Sequence, residues 1–331
     1  MSEEKNEIYF YQGKNNKVNY DYQLSDILVE IETFLCKNIE KTENLCFLIG
    51  SGCSSTAIPL MKNTFKKVKE PIIKNGREDL LGNFKDSEDL EKYLNWLNKA
   101  IDFLKDGENA SHKRVRKYAQ EQLIQSIDID YRSEKALKTL DIYKKFYNII
   151  FKIRNKSKNP INIFTTNYDL FFEKVADSLV GKYEFYFNDG SSGNITKKLS
   201  MKNYHKKIYH TGIFDNFDRE IPIINLFKLH GSVSWKYVND KNNKAYEIKV
   251  EYFETEGNYP ENLIKEVSNE EIENAKETIK NNEDLKNKIK EVKNELFEKF
   301  ALIFPEKNKF ENTLYQEFYY QNLRQLSYEL E

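Results

Sequence analysis

The chain has 331 residues and a formal net charge of -1 at pH 7, from 52 basic and 53 acidic residues, which argues against a general nucleic-acid binder. Its acidic N-terminus, MSEEKNEIYF, lacks the apolar segment of a secretory signal, and no stretch approaches the roughly 18 apolar residues of a membrane span. Cys36, Cys46 and Cys53 form no Cys-x-x-Cys pair, so the composition predicts a soluble protein of the reducing cytoplasm without a disulfide scaffold.

The first half of the chain combines helical patterns with one short apolar run. Residues 21–40 place apolar side chains at helical spacing. Residues 45–49 (LCFLI) form an unbroken apolar run that ends in Gly-Ser-Gly, a pattern typical of a strand buried on both faces of a parallel sheet. From residue 86 to about residue 151 the pattern is helical, with one apolar stripe over 90–104 and a second over 141–151.

Two more apolar runs follow, INIFTTNYD (161–169) and IPIINLFKLHGS (221–232), and each ends in polar or glycine-containing residues. Three buried strands separated by helical stretches predict an α/β fold with a parallel sheet. Residues 188–219 are rich in Gly, Ser, Lys and Asn without a clear period, which predicts a loop over the sheet. Residues 261–300 are charged with a helical pattern, and a helix-like segment, TLYQEFYYQNLRQLSYELE, closes the printed sequence.

Two glycines, Gly50 and Gly52, follow the first predicted strand. In open α/β sheets, ligands bind beyond the carboxyl ends of the strands. Glycine permits a positive φ and lets the backbone approach a phosphate, whose negative charge the N-terminus of a following helix favours. The full Gly-x-Gly-x-x-Gly fingerprint is absent, so a tight turn without a ligand is the alternative for this motif by itself.

Polar side chains follow the second and third predicted strands. Asn167 and Asp169 offer groups that hydrogen-bond a ribose hydroxyl, an amide or a water, although an Asx-turn that caps the next helix is the alternative. His230 precedes Gly231, and imidazole suits proton transfer near neutral pH, although a purely structural histidine is the alternative. The three strand ends together place glycine, amide, carboxylate and imidazole where one ligand could contact all of them.

These motifs resemble those of the sirtuin family. GSGCSSTAIP (50–59) is similar to the signature that begins Gly-Ala-Gly-x-Ser and runs to Ile-Pro, TTNYD to Thr-Gln-Asn-x-Asp, and KLHGS to Leu-His-Gly, in the family's order. IFTTNYDLFFE followed by KLHGSVSW is most similar to the bacterial sirtuin-like domains of antiphage defence. The resemblance covers residues 45–60, 160–175 and 221–236 closely and the chain between them loosely.

The resemblance implies an α/β fold in which a Rossmann-like parallel sheet, with helices on both faces and an inserted helical module, binds NAD. It implies a Rossmann-like core over about 21–75 and 158–236, a helical insertion over about 86–151 and a charged helical excursion over about 261–300. The family's final Rossmann strand has no counterpart after YELE, so it is either missing beyond residue 331 or supplied otherwise, and a weak or incomplete NAD site is expected.

The resemblance also implies roles for individual residues. Asn167 would hold the nicotinamide ribose and an attacking water, Asp169 would help to fix the nicotinamide, and His230 would act as the general base. The remaining residues implied to bind the cofactor are Gly50, Ser51, Gly52, Ser54 and Thr166, with the first four at the pyrophosphate.

Two departures separate this chain from the protein-deacetylating sirtuins. Those enzymes carry a zinc module of two Cys-x-x-Cys pairs after the histidine, whereas no cysteine follows Cys53 here. They also continue Ile-Pro-Asp-Phe-Arg where residues 58–62 read IPLMK. Both departures favour plain hydrolysis of NAD to nicotinamide and ADP-ribose, without a metal, over acyl-lysine chemistry.

The leading interpretation is therefore an NAD-hydrolysing effector of bacterial antiphage defence that depletes cellular NAD on infection. It is expected to be silent until a trigger, such as a phage-derived one, activates it, and to act as a homo-oligomer without membrane or direct nucleic-acid binding. The alternatives are a non-catalytic module that senses NAD or ADP-ribose, and a scaffold subunit whose 261–300 segment docks a HerA-type ATPase.

Overall fold

The computed structural model describes residues 11–12, 15–16, 29, 32–33, 37, 44–105, 109–154, 159–213, 218–238, 247–251, 300–304 and 316–330. The helix predicted over 21–40 lies mostly outside these ranges, although its few described residues are helical. The excursion predicted over 261–300 also lies outside them, except for Phe300. That residue begins a strand, so the helical prediction is wrong at its last position.

The described residues form thirteen strands and six α-helices. The strands are β1 (Tyr11–Gln12), β2 (Asn15–Asn16), β3 (Cys46–Ile49), β4 (Ile161–Thr165), β5 (Tyr186–Asn188), β6 (Ser191–Ser192), β7 (Lys197–Leu199), β8 (Tyr209–His210), β9 (Arg219–Glu220), β10 (Ile223–Lys228), β11 (Gly231–Val238), β12 (Glu247–Val250) and β13 (Phe300–Leu302). The helices are α1 (Met61–Lys74), α2 (Leu90–Phe103), α3 (Ala110–Ile127), α4 (Glu134–Arg154), α5 (Phe171–Leu179) and α6 (Glu317–Leu330). Short 3-10 helices cover Ser51–Ser54, Glu78–Phe84 and Met201–Asn203.

A four-stranded parallel sheet in the order β3-β4-β10-β5 forms the centre of the fold. The three strands predicted from the apolar runs are confirmed, because β3, β4 and β10 lie inside them. The loop predicted over 188–219 is wrong in part, because it includes the end of β5 together with β6, β7 and β8. These strands have only two or three residues, which is too few to show an alternation of apolar and polar residues in the sequence.

Helices cover both faces of this sheet, which makes the fold α/β and Rossmann-like. On one face, Ile163 of β4 and Leu226 of β10 pack with α4 and α5. On the other face, Phe164 and Phe227 stack with ring centroids 4.6 Å apart and contact Leu326 of α6. The predicted C-terminal helix is thus confirmed and contributes to the core.

The segment between β3 and β4 is helical, as predicted. Helices α1, α2 and α3 form a core of their own, in which Phe65 and Tyr93 stack with ring centroids 4.9 Å apart. The Asp89 side chain caps α2 by accepting a hydrogen bond of 2.9 Å from the Lys92 N–H. Helix α4 then returns the chain to the parallel sheet. None of the helices among the described residues combines the length and apolarity that crossing a membrane requires.

A second, antiparallel sheet in the order β13-β11-β12-β7-β6 was not predicted from the sequence. The third apolar run divides between the two sheets, because β10 ends at Lys228 and β11 begins at Gly231. Gly231 has a φ of 93°, and a Cβ there would lie 2.2 Å from the Ala301 carbonyl oxygen. Only glycine fits this turn, which leaves His230 between the two sheets.

Candidate functional site

A cavity of about 130 Å³ opens beyond the carboxyl ends of β3 and β4, beside the turn that follows β10. Helices α1 and α3 contribute its apolar side, with Met61, Leu123 and Ile127 among the lining residues. Six of the residues predicted for the site line it: Ser51, Ser54, Thr166, Asn167, Asp169 and His230. The structure therefore brings the three predicted strand ends together at one place.

Gly50 and Gly52 lie on the turn beside this cavity, but the positive φ expected for them is wrong. Gly50 has a φ of -109°, and neither glycine adopts a positive φ. The α-helix expected after the glycines is also wrong here, because a single 3-10 turn follows and α1 begins only at Met61. A Cβ on Gly52 would meet no atom of the described residues within 4 Å, so this glycine leaves open space above the backbone, whereas a Cβ on Gly50 would lie 3.9 Å from Thr166 Oγ1.

Thr165, the last residue of β4, joins two strand ends and positions Asn167. Its hydroxyl donates a hydrogen bond of 2.8 Å to the Ile49 carbonyl oxygen and accepts one of 3.0 Å from the Asn167 N–H. The Thr166 N–H also donates to Ile49, at 3.3 Å. Sequence analysis did not identify Thr165, although a threonine hydroxyl commonly accepts a hydrogen bond from the backbone N–H two residues further along the chain.

Four side chains form a buried hydrogen-bond network at the base of the cavity. The Asn167 amide nitrogen donates to the Gly50 carbonyl oxygen at 3.2 Å and to Ser54 Oγ at 3.3 Å. Ser54 Oγ donates to Asp169 Oδ2 at 2.9 Å and lies 2.8 Å from Tyr143 Oη. Because Ser54 has one proton and gives it to Asp169, Tyr143 is the donor in the remaining bond. Nothing in the sequence near α4 indicated that Tyr143 would reach the site.

Asp169 has both of the roles that the sequence left open. Its Oδ1 accepts a hydrogen bond of 3.2 Å from the Phe171 N–H, an Asx-turn at the start of α5, while Oδ2 belongs to the network. The side chain is buried, with 3% of the residue exposed. Burial raises the pKa of Asp169, and the charge of the nearby Lys228 opposes this shift.

Lys228 and Glu173 form an ion pair beneath the network. Lys228 Nζ lies 2.9 Å from Glu173 Oε1, and both side chains are buried. The ammonium also donates to the Asp169 carbonyl oxygen and, at 3.2 Å, to Ser232 Oγ. Burial raises the pKa of Glu173 to about 7, and the Lys228 charge opposes this shift. Sequence reasoning missed both residues, although a lysine inside an apolar strand run is a recognisable exception to its pattern.

The carbonyl oxygen of the Asn167 side chain is the one group of the network that has no partner among the described residues. Asn167 lines the cavity with 6% of its surface exposed, and its Oδ1 is buried without a hydrogen-bond donor from the described residues. Leaving a buried polar atom unpaired costs about 1–3 kcal/mol. A donor from a bound molecule would remove this cost.

His230 lies in the turn between β10 and β11, half-buried on the rim of the same cavity. Its carbonyl oxygen accepts a hydrogen bond of 2.9 Å from the Ile303 N–H, and its ring centroid lies 6.3 Å from that of Tyr168. Tyr168 is held in turn by a 2.6 Å hydrogen bond from its hydroxyl to the Ile303 carbonyl oxygen. The imidazole therefore sits on a backbone fixed by strand β13 and its continuation.

Among the residues that the structure describes, no group of three or more His, Cys, Asp and Glu side chains lies together as metal ligands. No protein-family model and no curated protein matches this chain. Around one cavity, the site combines a buried amide oxygen that can accept a hydrogen bond, a carboxyl group and an imidazole. Such a set can bind and orient a polar molecule and accept a proton from it.

Proposed function

We propose that this protein is an NAD glycohydrolase, which cleaves the nicotinamide–ribose bond of NAD to give nicotinamide and ADP-ribose. The observation that carries the proposal is the buried, unpartnered Oδ1 of Asn167 beside His230 in one cavity. A ribose hydroxyl or a water bound there would donate to this oxygen. The resemblance of the three strand ends to sirtuin motifs supports NAD as the molecule that brings this donor.

The reaction needs few groups, because the leaving nicotinamide nitrogen carries a positive charge. The C1′–N bond breaks with its electron pair going to nicotinamide, and the oxygen of a water forms a new bond to C1′ of the ribose. Asn167 would orient the water or the ribose and stabilise the positive charge that develops on the sugar. His230 would accept the proton that the water loses.

The dimensions of the site indicate how NAD would lie. A cavity of about 130 Å³ is smaller than the roughly 300–1,000 Å³ of sites that enclose whole ligands. The nicotinamide and its ribose would therefore occupy the cavity, between Ser54 and His230. The pyrophosphate would lie over the open backbone at Gly52, where a Cβ would meet no described residue within 4 Å.

The proposed biological role follows the same resemblance. The protein would act in the cytoplasm as a homo-oligomeric effector of antiphage defence, which a phage-derived trigger releases to deplete NAD. A HerA-type ATPase is the proposed partner. A module that binds NAD or ADP-ribose without cleaving it is the competing function, which the following experiment separates from hydrolysis.

Release of nicotinamide tests the proposal directly. The purified protein is incubated with NAD, alone and with the product of the neighbouring gene, beside the variants Asn167→Ala and His230→Ala. We expect each variant to lower the rate by ~10²–10⁴, because each removes a positioning or proton-accepting group. Asn63→Ala, on the exposed side of α1, and His210→Ala, on the exposed strand β8, are matched controls that should keep the wild-type rate.

The alternatives give different results. If NAD raises the unfolding temperature but no nicotinamide appears under any condition, the protein is a binding module and the hydrolase proposal is wrong. If hydrolysis occurs but both site variants keep the wild-type rate, the assigned residues are wrong.

A further inference from the structure

A second cleft, of about 790 Å³, lies between α6 and the amino-terminal half of the parallel sheet. None of its described lining residues also lines the cavity of the candidate site. Asn162 of β4 lines the floor of this cleft. Asn167, five residues later in the chain, lines the first cavity. At about 3.3 Å per residue, the two asparagines are on the order of 15 Å apart.

The floor of this cleft belongs to a row of polar side chains that crosses the whole parallel sheet. Asn188, Asn225, Asn162 and Cys46 are register partners on β5, β10, β4 and β3. Asn188 donates to the Asn225 side-chain oxygen and Asn225 donates to that of Asn162, both at 2.8 Å. The Asn162 amide nitrogen lies 4.0 Å from the Cys46 sulfur.

This row is unusual for its position in the fold. Strands of parallel sheets are covered on both faces and carry mainly Val, Ile and Leu, because burying an amide costs free energy unless it is hydrogen-bonded. A side-chain amide has two N–H donors and two acceptor lone pairs. Within the row, Asn162 and Asn225 each use one donor and one lone pair. Toward the described residues, each therefore has one donor and one acceptor unused, and both residues line the cleft.

The rim of the cleft carries a local positive charge. Among its described lining residues, Lys206, Lys207 and Arg324 are the cations and Glu329 is the one acidic residue, in a chain whose formal net charge is -1. Lys206 Nζ donates to an amide oxygen, that of Asn203, at 2.6 Å. Lys207 is partly neutralised by Glu220, which lies 3.7 Å away.

Glu329 is already engaged by neighbouring donors, so it opposes an incoming anion less than a free carboxylate would. Its Oε2 accepts from the Cys46 thiol at 3.3 Å and its Oε1 accepts from the Gln325 amide at 2.8 Å. Burial, together with Glu329 itself, raises the pKa of Cys46 to about 12, so the thiol keeps the proton that it donates.

We propose that this cleft binds a free nucleotide, with its phosphate at Lys206 and Arg324 and its base on the amides of Asn162 and Asn225. A paired donor and acceptor on a side-chain amide match the edge of a nucleobase. The volume of about 790 Å³ lies within the range of sites for whole small ligands and far exceeds the need of a simple anion. Tyr328, 73% exposed beside the cleft, offers a ring for stacking.

A free nucleotide fits better than a nucleic-acid strand. Binding along a phosphate backbone relies on many cations spread over an extended surface, whereas three of the described residues that line this cleft are cations. The inference stands on the cleft alone and does not depend on whether the protein hydrolyses NAD.

Calorimetric titration of the full chain tests the inference. AMP and ATP are the probes, with inorganic phosphate and a short single-stranded oligonucleotide for comparison. We expect AMP or ATP to bind, and Arg324→Glu and Lys206→Glu each to weaken that binding by at least about tenfold, since each reverses a charge at the phosphate. Both residues are exposed, so the variants should keep the wild-type unfolding midpoint.

Lys182→Glu is the control: it reverses an exposed charge away from the cleft, so it should not change AMP or ATP binding. The inference is overturned if no nucleotide binds, or if the two cleft variants bind AMP or ATP as tightly as the wild type. It is equally overturned if inorganic phosphate binds as tightly as AMP, or if the oligonucleotide binds more tightly than either nucleotide.

Discussion

The Ser54 hydroxyl takes part in three side-chain hydrogen bonds but has a single proton. This determines which of its partners donate and which accepts. Ser54 donates to Asp169, so Asn167 and Tyr143 must donate to its oxygen. Burial raises the pKa of Tyr143 far above its ordinary value, which keeps the phenol protonated for this task. The network thus fixes the Asn167 amide with its nitrogen toward Ser54 and leaves its oxygen for a ligand.

The Tyr143→Phe variant, which removes one hydroxyl, tests this assignment of donors and acceptors. The ring should stay in place, because it packs against Phe171 and Phe172 with centroids 5.4 Å and 4.7 Å away. We expect nicotinamide release to fall by roughly two- to tenfold, since one hydrogen bond contributes about 0.5–1.5 kcal/mol. Tyr147→Phe is the matched control, because Tyr147 donates to the Phe172 carbonyl oxygen one turn along α4. Equal rates in the two variants would contradict a role for Tyr143 in the site.

The glycines of the two motifs serve different purposes, which paired substitutions separate. Gly52→Val should leave the unfolding temperature near that of the wild type but abolish the shift that NAD produces, because the new side chain fills open space over the turn. Gly231→Ala should lower stability by about 2–3 kcal/mol, because φ is 93° and the Cβ would meet a backbone oxygen. Thermal unfolding with and without NAD measures both. A Gly52→Val protein that keeps the full NAD shift would show that the pyrophosphate lies elsewhere.

At the scale of elements, one buried ion pair joins strand β10 to helix α5. Lys228 is at the last position of the strand, 2% exposed at its side chain, and Glu173 is in the first turn of the helix. The ammonium also binds the Asp169 carbonyl oxygen, so the pair connects the framework of the sheet to the candidate site. Desolvating two charges offsets much of their attraction, so we expect the pair to contribute positioning more than net stability.

A single and a double substitution of the pair test this expectation. Lys228→Met should lower the free energy of unfolding by about 3–5 kcal/mol at pH 8, because it leaves a buried carboxylate without its partner. Lys228→Met combined with Glu173→Leu should recover most of that loss. Lys198→Met breaks the exposed pair with Glu247, 2.6 Å long between β7 and β12, and should cost no more than about 1 kcal/mol. Urea denaturation measures all three. A double variant no more stable than Lys228→Met alone would contradict the argument.

At the scale of the whole molecule, buried carboxyl groups determine how stability changes with pH. Burial raises the pKa of Asp128, at the end of α3, to about 7, and its Oδ1 has no hydrogen-bond partner among the described residues. Burial also raises the pKa of Asp169 and Glu173. Between the unfolded and folded pKa values of these three groups, the folded state binds more protons, so their contribution to stability is largest at low pH and falls as pH rises.

We therefore expect the free energy of unfolding to be larger at pH 5 than at pH 8. The contribution of Asp128 should be fully present below its ordinary pKa of 3.8 and should be lost as the pH rises through about 7. Asp128→Asn should reduce the difference between pH 5 and pH 8, because the amide does not ionise. Urea denaturation at both pH values measures this. Asp130→Asn, two residues away and exposed with a lowered pKa, is the control and should leave the difference unchanged. A wild-type protein more stable at pH 8 than at pH 5 would contradict the prediction.

Local patterns were sufficient to predict three of the four strands of the parallel sheet and part of the candidate site. The strands β3, β4 and β10 are short apolar runs, and burial on both faces requires such runs whatever the rest of the chain does. Polar residues at their carboxyl ends must lie at one edge of the sheet, so the proximity of Ser54, Asn167 and His230 followed from the parallel topology. The positive φ expected at Gly50 and Gly52 failed because one 3-10 turn is accessible to any residue.

What the sequence by itself determined is therefore what depends on neighbours along the chain: the apolar strands, the helical stripes and the polar residues that end them. The tertiary structure alone decided the contacts between distant residues. Tyr143 meets Ser54 across 89 residues, and Asn225 meets Asn162 across 63, only because helix packing and strand register bring them together. The antiparallel sheet is likewise a product of pairing between short, distant strands. The periodicity of the sequence does not reveal such pairings, because their stability comes from contacts with the partner strand and not from residues nearby in the sequence.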